Sequence, residues 1–254
     1  MTRYRYDLHL HSCLSPCADD DMTPANIAGM ALLNGLQLAA LTDHNSCKNC
    51  PAFFEACRVH GIVPVAGMEL NTAEEIHLVC LFPTLESAMD FDREIESYLM
   101  PVKNRPAIFG NQLIMDAEDT VLGSYETLLI TATTLPLTEA QALCKRFGGA
   151  SFPAHIDRSS NGILAVLGVL PEDPFFPALE LSLMSREDGS AETLMQTYAD
   201  RRYVNSSDAH HLWDISEGEH ALELDDEPYS AQRVRDALIA WLRGEAQSKD
   251  GTGT

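Results

Sequence analysis

The stretch YDLHLHS, from Tyr6 to Ser12, alternates leucine with histidine near the start of the chain. A period of two is typical of a β-strand, and it places His9 and His11 on the same face. Two imidazoles on one rigid strand can bind one metal ion together. The pattern alone is also compatible with a strand that carries two ordinary histidines, so the remainder of the chain must separate the two interpretations.

Further along the chain, other short apolar runs also carry metal-ligand residue types at or near their ends. The predicted strands are Leu36–Leu41, Ile62–Ala66, Ile76–Phe82, Ala150–Ile156, Leu179–Leu183, Tyr203–Ser206 and Ala221–Leu224. The polar residues in or just after them are His44, Glu69, His77, His155, Asp208 and His210. This recurrence favours the metal-binding interpretation of His9 and His11.

Helices are predicted between these strands. Thr23 followed by Pro24 is typical of a helix start, and Gly35 stands where a helix ends. The other predicted helices are Pro51–His60, Leu85–Leu99, Thr138–Phe147, Gly162–Leu170, Ala191–Ala199 and Ser230–Arg243. Strand–helix alternation predicts a mostly parallel sheet, and active sites in such sheets lie at the carboxyl ends of the strands.

Two parts of the chain have weaker patterns. Residues 101–134 show no clear periodicity, and Leu128–Thr133 fits either a strand or a buried helix turn. We interpret about 84–140 as an insertion that shapes one wall of the site. Residues 247–254 lack apolar side chains and are predicted to be a disordered tail after one domain spanning 1–246.

The composition limits the class of protein. The 254 residues include 17 basic and 38 acidic ones, which argues against a partner that is a long duplex nucleic acid or an anionic membrane. The seven cysteines lack the spacing of a disulfide scaffold, which indicates free thiols in a reducing compartment. With no signal-peptide pattern and no membrane-length apolar run, we expect a cytoplasmic protein.

The candidate ligands are nitrogen and oxygen donors, which suit Zn, Mn or Fe. They are too many for one ion, and a carboxylate such as Glu69 or Asp208 can bridge two. A mixed set of this kind is typical of metals that activate water, rather than of a closed structural site. We therefore expect more than one divalent metal ion as a cofactor.

These motifs, in this order, resemble the PHP (polymerase and histidinol phosphatase) family. The resemblance covers roughly residues 6–215 and implies a distorted (β/α)7 TIM-like barrel with a trinuclear metal site that hydrolyses phosphoesters. The motifs that carry it are Asp7–Ser12, Leu41–His44, Gly67–Glu69, His77, Pro153–His155 and Ser207–His210.

The resemblance also implies which residues hold which ion. The first would be held by His9, His11, Glu69 and Asp208, the second by Glu69, His77 and His155, and the third by His44 and His210. The family usually supplies one more ligand to the third site from the loop after the first strand. Counting back from Thr23, Asp19 takes that place, while Asp20, Asp21 and Cys17 remain alternatives because this loop is longer.

Other residues have candidate roles close to these ligands. Arg158, three residues after His155, is a candidate for binding the substrate phosphate, or is an ordinary surface arginine. Lys48 has a weaker claim of the same kind, and Asp43 could orient a ligand imidazole. His211 could assist the leaving group or only cover the site.

The predicted function is a metal-dependent phosphoesterase in which Glu69, Asp208, Arg158 and His211 serve catalysis. The expected partners are a small phosphorylated metabolite, a nucleotide or a short oligonucleotide, and the oligomeric state is left open. Two alternatives remain: an amide or lactone hydrolase that uses the same metals, and a non-catalytic metal-binding regulatory module.

Overall fold

The alternating stretch lies at the end of the first strand, β1. In a computed structural model, which describes residues 1–182 and 189–245, β1 spans Thr2–Asp7 and the chain continues extended through His9 to His11. The backbone of Leu10 accepts a hydrogen bond from the backbone N of Thr42 (2.8 Å) and also bridges to Ala209. The histidines therefore follow the strand rather than lie within it, and both neighbouring segments hold them in place.

Strands and helices occur close to the predicted positions. The strands after β1 are β2 Leu38–Leu41, β3 Val63–Asn71, β4 His77–Phe82, β5 Leu113–Met115, β6 Val121–Ser124, β7 Ala150–Pro153, β8 Ala178–Glu180, β9 Arg202–Val204 and β10 Ala221–Leu224. The helices are α1 Pro24–Leu33, α2 Cys50–His60, α3 Leu85–Ile95, α4 Pro106–Phe109, α5 Leu137–Arg146, α6 Ile163–Leu167, α7 Ser190–Thr197 and α8 Ala231–Leu242. Residue 183 of the predicted strand and the predicted tail lie outside the described residues.

The strands form a curled, mixed sheet. Its order is β10-β1-β2-β3-β4-β7, with β1, β2 and β3 parallel and β4 antiparallel to both of its neighbours. A separate parallel pair, β8 and β9, continues the curve, because the backbone N of Ile156 donates to Glu180 O (2.9 Å) beyond β7. The backbone N of His11 donates to Ala209 O (3.1 Å) on the other side.

The prediction of a mostly parallel sheet is therefore wrong in one respect. Only five residues, Thr72 to Ile76, separate β3 from β4. A parallel return needs a crossover of about a dozen residues or more, so β4 must run antiparallel. The curled α/β sheet agrees with a TIM-like fold, and the strict count of seven strand–helix units stays a prediction.

The central strands are buried on both faces. All nine residues of β3 are buried, and so are all four of β2. This explains why these strands appear in the sequence as continuous apolar runs rather than as alternating ones. The predicted inward face of the terminal helix, α8, is also buried and comprises Val234, Leu238, Ile239 and Leu242.

The helix boundaries follow the predicted capping chemistry. Thr23 Oγ1 accepts a hydrogen bond from the backbone N of Asn26 (3.2 Å), and Pro24 begins α1. Gly61 ends α2 with φ +69°, in the left-handed region that glycine adopts without a Cβ clash. These caps fix where each helix starts and stops, and hence the loops that lead into the site.

The segment 101–134 differs from its prediction. Leu128–Thr133 is neither strand nor helix but an irregular segment that packs against the loop after β2. The Asn45 amide donates to Leu129 O (2.7 Å) and Thr131 O (2.9 Å). The apolar pattern fitted a strand and a helix turn equally because the segment is neither. Its conformation is set instead by hydrogen bonds from the Asn45 side chain to its backbone carbonyls.

A second part of the same segment contacts the loop after His11. The backbone N of Leu113 donates to Cys13 O (2.8 Å). Gly110 has φ +101°, and a Cβ placed on it would lie 2.0 Å from Pro16 O. Glycine is therefore required at position 110 for this close approach.

No helix among the described residues is long and apolar enough to span a membrane.

Candidate metal centre

The candidate ligands meet at one edge of the curled sheet. His44 follows β2, Glu69 lies near the carboxyl end of β3, and His77 opens β4. Because β4 is antiparallel, its first residues pair with the last residues of β3, and His77 lies opposite Asn71. An amino-terminal strand position therefore reaches the same edge as the carboxyl ends of its neighbours.

Glu69 is the centre of the cluster. Its side chain is 1% exposed, and both of its oxygens lie close to imidazole nitrogens from different parts of the chain. The contacts of Oε1 are His77 Nδ1 (2.8 Å), His155 Nε2 (3.2 Å) and His9 Nε2 (3.3 Å); those of Oε2 are His44 Nδ1 (3.0 Å) and His11 Nε2 (3.3 Å). One buried carboxylate thus lies among five imidazoles.

Asp208 completes one side of this arrangement. Its Oδ1 lies 3.1 Å from His11 Nε2 and 3.3 Å from His9 Nε2, and these two imidazole nitrogens are 3.2 Å apart. Asp208 and His155 have φ values of +54° and +29°, which are uncommon for residues with a side chain. Such strained backbone is concentrated at functional sites.

Three groups of side chains bring their ligand atoms close enough to hold an ion. The groups are His9, His11, Glu69 and Asp208; His44, Glu69 and His77; and His11, His44 and His210. His155 adjoins the second group through Glu69. The first two groups share Glu69, which is the arrangement expected for neighbouring ions bridged by one carboxylate.

The chemistry of these atoms fits divalent metal ions. His44 Nδ1 and His77 Nδ1 approach Glu69 closely, yet neither makes a hydrogen bond of acceptable geometry with any described residue. Buried imidazole nitrogens are rarely left without a hydrogen-bond partner, and the nitrogen and oxygen donors present suit Zn, Mn or Fe. Ions between these atoms would satisfy them.

The electrostatics of the cluster couple the histidines to the carboxylates. Burial disfavours protonation of His11, but the hydrogen bonds with Asp208 and Glu69 outweigh it and raise its pKa to about 9. Burial likewise opposes protonation of His44, and the charge of Glu69 raises its pKa to about 9. In return, the histidines hold the pKa of Glu69 well below its ordinary value, although burial alone would raise it.

His210 behaves differently. Burial and the positive charge of the neighbouring His11 lower its pKa to about 3. Its ring stacks on His11 with centroids 4.3 Å apart, and its Nδ1 lies 2.8 Å from the Asp208 carbonyl oxygen. His210 is therefore neutral at pH 7, which is the form that binds a metal.

Glu180 is a candidate site residue that the sequence patterns did not single out. It is 1% exposed, and its oxygens lie 3.1 and 2.9 Å from His9 Nδ1. Its Oε2 also accepts a hydrogen bond from the backbone N of His155 (3.1 Å). A carboxylate on one imidazole nitrogen fixes the tautomer and ring orientation that present the other nitrogen to a metal. The available signal was an acidic residue at the end of an apolar strand.

Asp43 reaches a ligand only through a serine. Its Oδ1 accepts a hydrogen bond from Ser15 Oγ (2.7 Å), and Ser15 Oγ lies 3.0 Å from His11 Nδ1. Asp43 also accepts hydrogen bonds from the backbone N and the hydroxyl of Ser12. It therefore organises the loop that holds His11 instead of contacting an imidazole directly.

Asp19 does not join the three groups of converging ligand atoms. Its Oδ2 lies 2.7 Å from His211 Nδ1, and its side chain is 46% exposed. Of the alternatives, Asp20 accepts hydrogen bonds from the Asn111 amide, while Cys17 is an exposed free cysteine.

Arg158 contacts the cluster, whereas Lys48 is paired with acidic residues outside it. Arg158 Nη1 is 2.6 Å from Asp208 Oδ2, and the side chain is 42% exposed. The Lys48 ammonium is paired with Asp92 and Glu96, each at 2.8 Å. These two ion pairs engage the Lys48 ammonium, so the structure gives no support to a phosphate-binding role for Lys48, which stays a prediction.

The fold and the site together define an α/β protein with a centre that can bind several metal ions, as in metal-dependent hydrolases. The chain belongs to the PHP domain family, whose pattern matches residues 7–143, more than half of its length. That segment contains five of the eight candidate ligands that cluster, and the geometry adds His155, Asp208 and His210 from beyond it. No curated protein matches the chain.

Solved structures with the same fold include several hydrolases. The lesion-specific endonuclease Q of Pyrococcus furiosus is 18% identical, with 96% of this chain and 57% of that chain covered and a TM-score of 0.62. A protein of Bifidobacterium adolescentis described as a metal-dependent phosphoesterase is 18% identical, with 81% and 87% covered and a TM-score of 0.54. An amidohydrolase of Chromobacterium violaceum is 17% identical, with 87% and 92% covered and a TM-score of 0.53. This chain thus spans little more than half the length of the endonuclease.

The exclusion of a long duplex nucleic acid as a partner is wrong. Another endonuclease Q structure is a complex with a 27-mer duplex that carries an abasic lesion at the active site. It is 19% identical to this chain, with a TM-score of 0.58, and the match covers 96% of this chain and 57% of that chain. Net charge averages over the whole surface, whereas a duplex contacts only part of it, and metal ions add local positive charge. The net charge of −21 therefore does not exclude such a partner.

We expect metal binding to release protons. His11 and His44 have pKa values raised to about 9 from an ordinary 6.5, so both are protonated at pH 7.5 without metal. A metal must displace these protons, so apparent affinity should rise about tenfold per pH unit for each proton released, up to about pH 9. Titration calorimetry in two buffers of different ionisation enthalpy measures the release.

The stability of the metal-free protein should fall as the pH rises, whereas its affinity for metal should increase. A raised pKa means that the stabilising contribution of His11 and His44 is complete below pH 6.5 and is lost as the pH rises through 9. We expect the metal-free protein to melt at a lower temperature at pH 9 than at pH 7, while metal-loaded protein resists this loss. For the calorimetric titration described above, a binding enthalpy that did not change with the buffer would mean that metal binding releases no protons. That result would contradict the raised pKa values of His11 and His44.

Proposed function

We propose that the protein is a metal-dependent phosphoesterase that uses two to three divalent ions. The observation that supports this most strongly is the Glu69 carboxylate surrounded by five imidazoles, with Asp208 beside two of them. Glu69 and Asp208 would hold one ion with His9 and His11. Glu69, His77 and His155 would hold a second, and His44 and His210 a third.

The ions would supply charge neutralisation at the phosphoryl oxygens and a lowered pKa for a bound water. The protein itself must position the substrate, since phosphoryl transfer depends mainly on orientation and electrostatic stabilisation. Glu180 and Ser15 orient His9 and His11 for this purpose. In this proposal, the segment 84–140 forms one wall, as its contacts at Gly110 and Leu113 support.

Arg158 would bind the phosphate. Its guanidinium lies at the edge of the cluster with one nitrogen on Asp208, and the planar fork has further donors that can reach a phosphoryl oxygen. His211 contacts Asp19, which lies outside the three converging groups, and this supports a covering or proton-donating role for His211 rather than metal binding.

We expect Arg158→Ala to lower kcat/KM for a phosphoester by about 10- to 100-fold, the range of one charge-assisted hydrogen bond. Arg158→Lys should recover only part of this, because an ammonium cannot make the bidentate contact. Arg93→Ala, an exposed arginine on α3, is the matched control and should change nothing. Unchanged turnover in Arg158→Ala would remove Arg158 from the proposal.

The proposal as a whole is tested by elemental analysis of purified protein beside turnover of phosphomonoesters, phosphodiesters, amides and lactones. Two to three equivalents of Zn, Mn or Fe with phosphoester turnover would support it. Turnover of amides or lactones alone would favour the alternative that the amidohydrolase fold neighbour suggests. Bound metal without any turnover would instead identify a non-catalytic module.

A further inference from the structure

An exposed tryptophan stands beside the candidate metal centre. Trp213 is 71% exposed, and its ring stacks on His211 with centroids 4.8 Å apart and planes 4° from parallel. His211 directly follows His210, whose ring stacks on His11 within the ligand cluster. A large aromatic surface therefore lies two residues along the chain from His211 and three from a candidate ligand.

The chain on either side of Trp213 is held by hydrogen bonds. His211 Nδ1 is 2.7 Å from Asp19 Oδ2, and the backbone N of Asp19 donates to His210 O (3.1 Å). Trp213 is in the short helical turn Leu212–Asp214, and the next residue, Ile215, accepts a hydrogen bond from the Asn34 amide (2.8 Å). With one face of the indole covered by His211, the ring can present its other face to a ligand.

We propose that Trp213 is a stacking platform for the nucleobase of the substrate, which makes that substrate a nucleotide or nucleic acid strand. This inference rests on the proposed phosphoesterase function. Base–aromatic stacking needs no charge and tolerates any base. Asp19, which contacts His211, and Asp214, which follows Trp213 in the chain, carry negative charge that repels phosphate but not an uncharged base. The phosphate would then lie over the metal centre, and the base over the indole.

The protein offers a direct optical test that needs no turnover. Its two tryptophans are Trp213 and Trp241, so Trp241→Phe leaves Trp213 as the single tryptophan. In this variant, loaded with metal, we expect adenosine and adenosine monophosphate to quench the fluorescence saturably. Glycerol phosphate, which has a phosphate but no base, should not. Equal quenching by all three, or none by the two base-containing ligands, would overturn the platform.

The kinetic test compares kcat/KM for adenosine monophosphate with that for glycerol phosphate. Trp213→Ala should reduce this ratio by about 5- to 150-fold, which is the range of one base–aromatic stack. Trp213→Phe keeps a flat ring and should give an intermediate ratio. Tyr229→Ala removes another exposed aromatic residue, 65% exposed and just before α8, and should leave the ratio unaltered.

The fluorescence titration and the kinetic comparison together show which proposal is wrong, the stacking role of Trp213 or the phosphoesterase function. If the wild type hydrolyses neither ester, the phosphoesterase proposal fails on those substrates and the quenching titration alone decides the platform. If the wild type hydrolyses both esters and Trp213→Ala leaves their ratio unchanged, the platform is overturned while the phosphoesterase stands. Thermal melting of each variant shows that the fold is retained.

Discussion

Replacing Glu69 with glutamine should lower metal content by at least one equivalent and reduce turnover by more than about 100-fold. Loss of a residue that only orients a ligand costs about 10–100-fold, and Glu69 contacts five imidazoles directly. Glutamine keeps the shape but removes the charge and one acceptor oxygen. Two neighbouring groups of ligand atoms lose their shared carboxylate at once.

The same change also tests the electrostatics of the cluster. Without the Glu69 charge, the imidazoles lose the partner that favours their protonated forms, so the metal-free variant should have lower histidine pKa values. Elemental analysis and NMR titration of the histidines measure the two effects. Glu55→Gln, an exposed acidic residue on α2, is the control. Full metal content and turnover in Glu69→Gln would refute the bridging role.

Much of the candidate site could be predicted because its signals are local. His9 and His11 follow an alternating strand pattern, and His44 comes just after a continuous apolar run. A buried strand emerges at one edge of the sheet, so polar residues at its end are brought together by the fold itself. The structure places these side chains together, while their role as metal ligands stays a prediction.

Other features depend on contacts between distant segments and leave no local pattern. The direction of β4 cannot be predicted from its apolar residues, since an apolar run has the same pattern in either direction. Its antiparallel course follows from the short connection after Asn71. Glu180 pairs with His9, 171 positions away in the chain, and a single acidic residue at a strand end does not predict its partner.

The net charge of the chain could not predict which partner binds at the candidate metal centre. The composition gives the net charge but not its distribution, and the acidic ligands that contribute to it are also the residues able to bind cations. Glu69 and Asp208 count as two negative charges in the sequence, yet Glu69 is buried among histidines and the Asp208 side chain is only 7% exposed beside two of them. A net charge is therefore a poor guide to which partner reaches this centre.

Glu180→Gln is expected to weaken metal binding and lower turnover by about 10- to 100-fold, less than Glu69→Gln. The Glu180 carboxylate accepts at both oxygens, from His9 Nδ1 and from the backbone N of His155. Glutamine has one acceptor oxygen, and its amide NH₂ would face a donor. An amide oxygen in the place of Oε2 could still accept from both groups, but the NH₂ in the place of Oε1 would then lie against His9 Nδ1, and in the reverse orientation the backbone N of His155 would lose its partner. In both orientations the loss of charge weakens the hydrogen bond that fixes the His9 tautomer.

The measurement is the metal dissociation constant, obtained by competition with a chelator, together with kcat/KM and thermal melting. Glu180→Gln should raise the dissociation constant while the melting temperature of the metal-free protein changes less. Glu192→Gln on α7 alters an acidic residue outside the ligand cluster and should change neither quantity. If Glu180→Gln lowered stability but left metal affinity and turnover intact, Glu180 would hold strands together rather than orient His9. The size of the affinity change therefore distinguishes a carboxylate that positions a ligand from one that only satisfies the backbone.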